Sequence, residues 1–152
     1  MAISVDLIKK LREETGAGVM RVKAVLEIVA GDEKKALEIL KKEGFEKVAK
    51  RADRETGQGI VASYIHHNGK VGVLVSILCE TDFVAKNELT VELGKNIALQ
   101  ISAMDPKDVK ELESQEFIKD TSKTISDLVK EVIAKTGENI RIGKFARIEV
   151  GK

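Results

Sequence analysis

What most constrains this chain is a change in the period of its apolar residues. Up to Leu40 they recur at intervals of three and four, whereas from Ile60 to Cys79 they alternate in twos and β-branched residues dominate. A helical stripe and a pleated strand place side chains differently, so one element cannot satisfy both patterns. The chain must therefore combine a helical segment with a sheet. Asn68-Gly69 sits between the two β-patterned runs and is a strong signal for a two-residue hairpin. Past Thr81-Asp82 the helical period returns, with Leu89, Leu93, Ile97 and Ile101 on one face until Asp105-Pro106 stops the element. A polar stretch runs to Lys123. Ile125, Leu128, Val129, Val132 and Ile133 then mark a helix ending at Thr136-Gly137, and Ile140, Ile142, Ala146, Ile148 and Val150 alternate as a last strand.

The helical segment divides at its glycines. Ser4 is placed to cap a helix whose Leu7, Ile8 and Leu11 share a face, and Thr15-Gly16-Ala17-Gly18 turns the chain. Val22, Val25, Leu26 and Val29 stripe a second helix, which ends at Ala30-Gly31. Asp32 caps a third with Ala36, Leu37 and Leu40 inside, and Gly44 is its natural stop, with Phe45 folding back over the bundle. Residues 1–45 thus read as a three-helix domain. Residues 46–58 are rich in charge and alanine, are broken by Gly57-Gln58-Gly59, and read as a partly helical linker. Residues 59–152 read β-β-α-(α)-α-β. The expected class is α+β, a small antiparallel three-stranded sheet covered on one face by helices. Its other face is expected to stay open, as a surface for a partner or for a second copy of the chain.

Composition excludes several functions. The 26 basic and 25 acidic side chains leave a formal charge of +1, so no strong field draws the chain to nucleic acid or an anionic membrane. The single cysteine cannot form an internal disulfide, and Met1 to Leu11 is too polar for a secretory signal, which fits a reducing cytoplasm. The longest apolar run, Val71 to Cys79, contains Ser76 and is far shorter than the roughly 20 residues that span a bilayer.

Candidate chemistry is sparse. Cys79 with His66 and His67 suggests a thiol nucleophile or a metal site, but the hairpin puts the histidines at its tip and Cys79 roughly 26 Å along the strand. A buried small thiol and two loop histidines are the expectation, with no catalytic residue, metal or cofactor. No glycine loop joins a strand to a helix in the pattern that cradles phosphates. Lys41, Lys42, Lys47, Lys50, Arg51 and Arg54 are interleaved with Glu43, Glu46 and Asp53 and read as a solvated helix face. Phe83 is different, because it lies outside both periodic patterns at a strand-to-helix corner, just before Asn87 caps the next helix. Its ring is either a core plug or an exposed anchor.

Cys79-Glu80-Thr81-Asp82-Phe83-Val84-Ala85-Lys86-Asn87-Glu88 is similar to the signature of the elongation factor Ts family. Leu11-Arg12-Glu13-Glu14-Thr15-Gly16-Ala17-Gly18-Val19-Met20, followed by Lys23 and Leu26, resembles that family's amino-terminal block. The hairpin from Tyr64 to Val75 and the ending from Ile140 to Gly151 resemble it too.

The resemblance implies a ubiquitin-associated-like helical domain, a linker and an α+β core. It also implies an exchange factor for the translational GTPase EF-Tu, binding its GDP-bound and nucleotide-free forms, and not an enzyme. By that likeness Thr81, Asp82, Phe83 and Val84 displace the partner's magnesium, while Arg12, Val19, Met20 and Lys23 dock on its G domain. Val19 and Met20 have a plainer reading as the end of the bundle core, and the Gly16 to Met20 loop could instead belong to a peptide-gripping adaptor. Arg21 stands where the family usually has an acidic residue, and the chain is shorter between Asp105 and Ser122 than other short forms. Those short forms suggest a homodimer that pairs its sheets.

Overall fold

A computed structural model describes residues 3–152; the first two residues of the expected helical domain lie outside it. Helix α1 (Val5–Thr15) is capped by Ser4, whose hydroxyl accepts from the Leu7 amide at 3.1 Å. Helix α2 (Val19–Ile28) follows the Gly16–Gly18 turn, and α3 (Glu33–Arg51) starts at Asp32, which accepts from the Lys35 amide at 3.1 Å. Leu11, Val22, Val25, Leu26, Ala36 and Leu40 close over one another as a small buried cluster. The three helices and their inner faces are those that the apolar stripes predict.

Gly44 does not stop α3, which continues to Arg51 through the first part of the stretch expected as a linker. A glycine in a helix costs only about 1 kcal/mol relative to alanine, which packing on both flanks can override. Leu40 on one side belongs to the helical cluster, and Val48 on the other is buried against the sheet domain's core. A Cβ on Gly44 would sit 3.5 Å from that of Ala134, so the helix runs close along its neighbour there. Phe45 therefore stays in the helix, with Lys130 Nζ 5.5 Å from its ring centre.

The main sheet has the antiparallel order β1 (Gln58–Ile65), β2 (Val71–Cys79), β5 (Ile140–Glu149), with β2 in the middle. The hairpin differs in detail from the expected two-residue turn. The Gly69 amide donates to the His66 carbonyl at 2.8 Å, and Gly69 itself is left-handed at φ 70°. The reversal is thus a four-residue turn from His66, with Gly69 absorbing the change of direction that its missing Cβ permits. Val73, Val75, Ile77 and Cys79 of β2 point inward. Helices α5 (Glu88–Met104) and α7 (Ile125–Thr136) cover them with Leu93, Ile97, Ile101, Val129 and Ile133. The intervening stretch, read as polar with room for one helix, contains that helix as α6 (Val109–Ser114) and, beyond that reading, a two-stranded ladder of β3 (Glu116–Phe117) and β4 (Asp120–Thr124). The fully buried Gln100 holds it, donating to the Glu116 carbonyl at 3.0 Å and accepting from the Ile118 amide at 3.0 Å. Ahead of α5 the chain makes one further short turn of helix, α4 (Asp82–Ala85).

Among the described residues, helices lie on one side of the main sheet only. On the other, Val61, Ile65, Leu74, Ile148 and Val150 are exposed, Ile148 at 74%. The helical unit meets α7 along α3 and also at the end of α1. Gly16 is left-handed at φ 73°, and a Cβ there would lie 2.8 Å from the Lys135 backbone. Gly16→Ala is expected to lower unfolding free energy by about 2 kcal/mol, the scale of a forced left-handed residue. Urea unfolding should show a lower midpoint at unchanged slope.

Candidate functional site

The chain leaves the buried end of β2 at Cys79 and turns through Glu80 and Thr81 into α4. Thr81 is the cap of that helix: its backbone is extended at φ −128°, and its hydroxyl accepts from the Val84 amide at 3.3 Å. Ala85 is 1% exposed and Val84 packs against the core, which anchors the inner side of the turn. One residue of helix rotates the side chain by about 100°, so Phe83 is carried to the outside. The ring is 91% exposed. Of the two readings that sequence leaves for Phe83, the core plug is excluded and the exposed position holds.

Asp82 is exposed as well, and its carboxylate meets Lys86 Nζ at 2.9 Å one turn on. The corner is tied to the loop after α7. The Glu138 carboxylate accepts from the Thr81 amide at 2.9 Å, the Thr81 hydroxyl at 2.7 Å and the Glu80 amide at 3.2 Å. In return, Glu80 accepts from the Asn139 amide at 2.6 Å. Asn139, 3% exposed, donates through Nδ2 to the Arg54 carbonyl at 2.9 Å. Glu138 and Asn139 carry no sequence signal of their own, since they follow a helix stop as ordinary polar loop residues.

The second group of expected residues lies on the helical unit. Arg12 is exposed near the end of α1, and Val19, Met20 and Lys23 are exposed on the first turns of α2. Met20 is 76% exposed, so neither it nor Val19 completes the bundle core. This group and the Phe83 corner stand on different elements: α4 packs on the sheet and α5, while α1 and α2 pack on α3. Arg21 turns away from solvent-facing Met20 and pairs with Glu43 of α3, its Nε 2.9 Å from Oε2. Hydrogen bonding from Arg21 holds the Glu43 carboxyl below its usual range.

The thiol and the histidines do not meet. Cys79 pairs across the sheet with Gln58, whereas His66 and His67 stack with ring centres 4.1 Å apart beyond the other end of the same ladder. Cys79 is fully buried, and its thiol donates to the Thr81 carbonyl at 3.1 Å. Burial, then the nearby Glu138 carboxylate, pushes the thiol pKa up, which is opposite to what a nucleophile needs. Among the described residues no cluster of three or more His, Cys, Asp or Glu could hold a metal ion, and no helix is long and apolar enough to cross a membrane.

Residues 80–152 match the family model described as elongation factor TS. Elongation factor Ts of Leptospira biflexa serovar Patoc is 44% identical over 196 aligned positions, which span 99% of this chain and 99% of that protein. Elongation factor Ts of Thermosipho melanesiensis is 40% identical over 195 positions, spanning 99% and 100%. That of Thermotoga neapolitana is 42% identical over 195 positions, spanning 100% and 99%. Because these alignments run well beyond 152 positions, the relatives carry internal residues that this chain lacks.

Cys79 gives a test of the buried corner. A thiol whose pKa is raised by folding contributes stability that is fully present below the ordinary value of 9.0 and is lost as pH climbs through the folded value. Urea unfolding of the wild type should weaken above pH 9.0 by a component that Cys79→Ala lacks, the two proteins running parallel at neutral pH.

Proposed function

The chain belongs to the elongation factor Ts family, and on that premise we propose that it is a guanine nucleotide exchange factor for EF-Tu. The observation that carries this is the bare Phe83 ring, presented on a braced corner within the matched region. A phenylalanine left in water forgoes roughly 2–3 kcal/mol that burial would yield. That sum is available to a partner with an apolar pocket.

In this reading the ring enters such a pocket in the G domain and shifts the helix and loops that hold magnesium over the phosphates. The ion belongs to the partner. Packed cores respond to a wedge by switching between arrangements, and loss of the ion leaves the phosphate charge uncompensated. Asp82 contacts the adjoining chain after exchanging its exposed Lys86 pair, worth only about 0.3–0.5 kcal/mol, for the new contact. Thr81 and Val84 hold the turn between them. No covalent bond changes, so the protein accelerates release without being an enzyme in the chemical sense. Coupling is reciprocal: as the factor weakens GDP binding, nucleotide weakens the factor, and incoming GTP displaces it.

Residues 1–45 serve as a docking domain in this proposal, with Arg12, Val19, Met20 and Lys23 against the G domain. Residues 46–58 connect it to the core of 59–152, and the cytoplasm, where elongation proceeds, is its place of work. The open sheet face suits a second copy of the chain. Val61, Ile65, Leu74, Ile148 and Val150 give that face a set of exposed apolar side chains, and a two-fold axis would set it against itself.

Phe83→Ala is expected to leave the fold intact and slow GDP release from EF-Tu by about tenfold or more, a loss of roughly 1.4 kcal/mol of barrier lowering. Stopped-flow release of a fluorescent GDP analogue measures it, and an unchanged rate would remove Phe83 from the mechanism. For the sheet face, Ile148→Asp should convert a dimer into a monomer in sedimentation. A wild-type chain that sediments as a monomer would refute pairing.

A further inference from the structure

We infer that Glu138 is a positioning residue for the Phe83 corner, an assignment that rests on the exchange reading above and adds to it the group that aims the ring. Helix α4 has only four residues, too few to hold its own direction, because a single turn of helix is unfavourable without outside support. The ring supplies none, being 91% exposed. Its direction must come from the backbone beneath it.

That backbone is fixed from outside. One carboxylate gathers the Glu80 amide, the Thr81 amide and the Thr81 hydroxyl at 3.2, 2.9 and 2.7 Å. The hydroxyl is the decisive link, since its proton goes to Glu138 and its lone pair therefore faces the Val84 amide at 3.3 Å. Glu138 thus sets the cap, the cap sets the first turn of α4, and the turn sets where Phe83 points. The carboxylate is itself held. Gly137 ends α7 in a left-handed conformation at φ 78°, and the Glu138 amide donates to Thr136 Oγ1 at 3.4 Å. The next residue, Asn139, is bonded to Glu80 and to the carbonyls of Ala52 and Arg54. The two strand ends thereby grip each other by crossed carboxylates, Glu138 onto residues 80 and 81, and Glu80 onto residue 139.

A wedge held in its productive direction loses less freedom on insertion, and a wedge that wanders is competent for only a fraction of the time. Loss of the brace should accordingly lower the maximal stimulated rate, while docking through the helical unit leaves the half-saturating concentration nearly unchanged. Hydrogen bonds to charged groups are among the stronger ones, so Glu138→Ala should cut GDP release at saturating factor by about tenfold. Glu138→Gln keeps an acceptor oxygen for the amides, and Thr81 can rotate its hydroxyl to accept from the new amide group, so this variant should stay within about threefold of wild type.

The test is a double-mutant cycle with Phe83→Ala, read by release of the fluorescent GDP analogue. It is joined to hydrogen exchange of the free chain at the Glu80, Thr81 and Val84 amides. If Glu138 acts through the ring, Glu138→Ala adds no further loss in the Phe83→Ala background, and in the free chain the three amides exchange about tenfold faster. Multiplying losses, a normal rate for Glu138→Ala where Phe83→Ala is slow, or unchanged amide exchange would each overturn the assignment. Should Phe83→Ala leave release untouched, the exchange reading fails. Hydrogen exchange then still decides whether Glu138 orders the corner.

Discussion

Everything in the sheet domain hangs on β2 being paired along both edges and buried along one face. Gln58 to Ile65 lie against one side of it and Ile140 to Glu149 against the other, so its backbone groups are spent in the ladder. Its alternate residues Val73, Val75, Ile77 and Cys79 carry the core. Since the side-chain period of a strand is two, burial of this face turns the alternate side chains away from the core. The apolar patch around Leu74 and Ile148 is a direct consequence, as is the point at which the chain leaves the sheet to form the Phe83 corner.

The corner combines a held backbone with an unheld side chain. Ala85 and Val84 press inward, and Glu138 gathers the polar groups at the cap. Phe83 and Asp82 are left facing solvent. In a chain with four phenylalanines and no tryptophan, placing one of them in water on a rigid support is costly to the isolated molecule. The cost is recovered only when something covers the ring, which is what a binding anchor requires. Precision of direction is then supplied by the carboxylate across the sheet, because nothing packs around the ring.

The two halves are less separate than their apolar patterns suggest. Helix α3 contributes Leu40 to the first cluster and Val48 to the second, so one continuous rod enters both. Gly44 lies between them. Read locally it is a helix stop, yet the chain passes straight through it, since packing at Leu40 and at Val48 holds the helix on both sides. In the stretch before Lys123 the optional helix is found, but the β3–β4 ladder has no local signal. Leu112 and Phe117 are too few to make a period, and the segment folds because Gln100, buried on α5, offers its amide to the backbone there.

Caps, apolar stripes and strand alternation were legible because each depends on residues a few positions apart. Ser4, Asp32, Asn87 and Gly137 sit where their chemistry predicts, and the three strands of the main sheet follow their period. The motif around Phe83 was equally plain, though whether its ring faced in or out was open. Only the assembled chain decided that, by burying Ala85 and bringing Glu138 to Thr81 across 57 residues of sequence. Two groups so far apart leave no mark on each other's neighbours, and their meeting depends on how β2 and β5 pair.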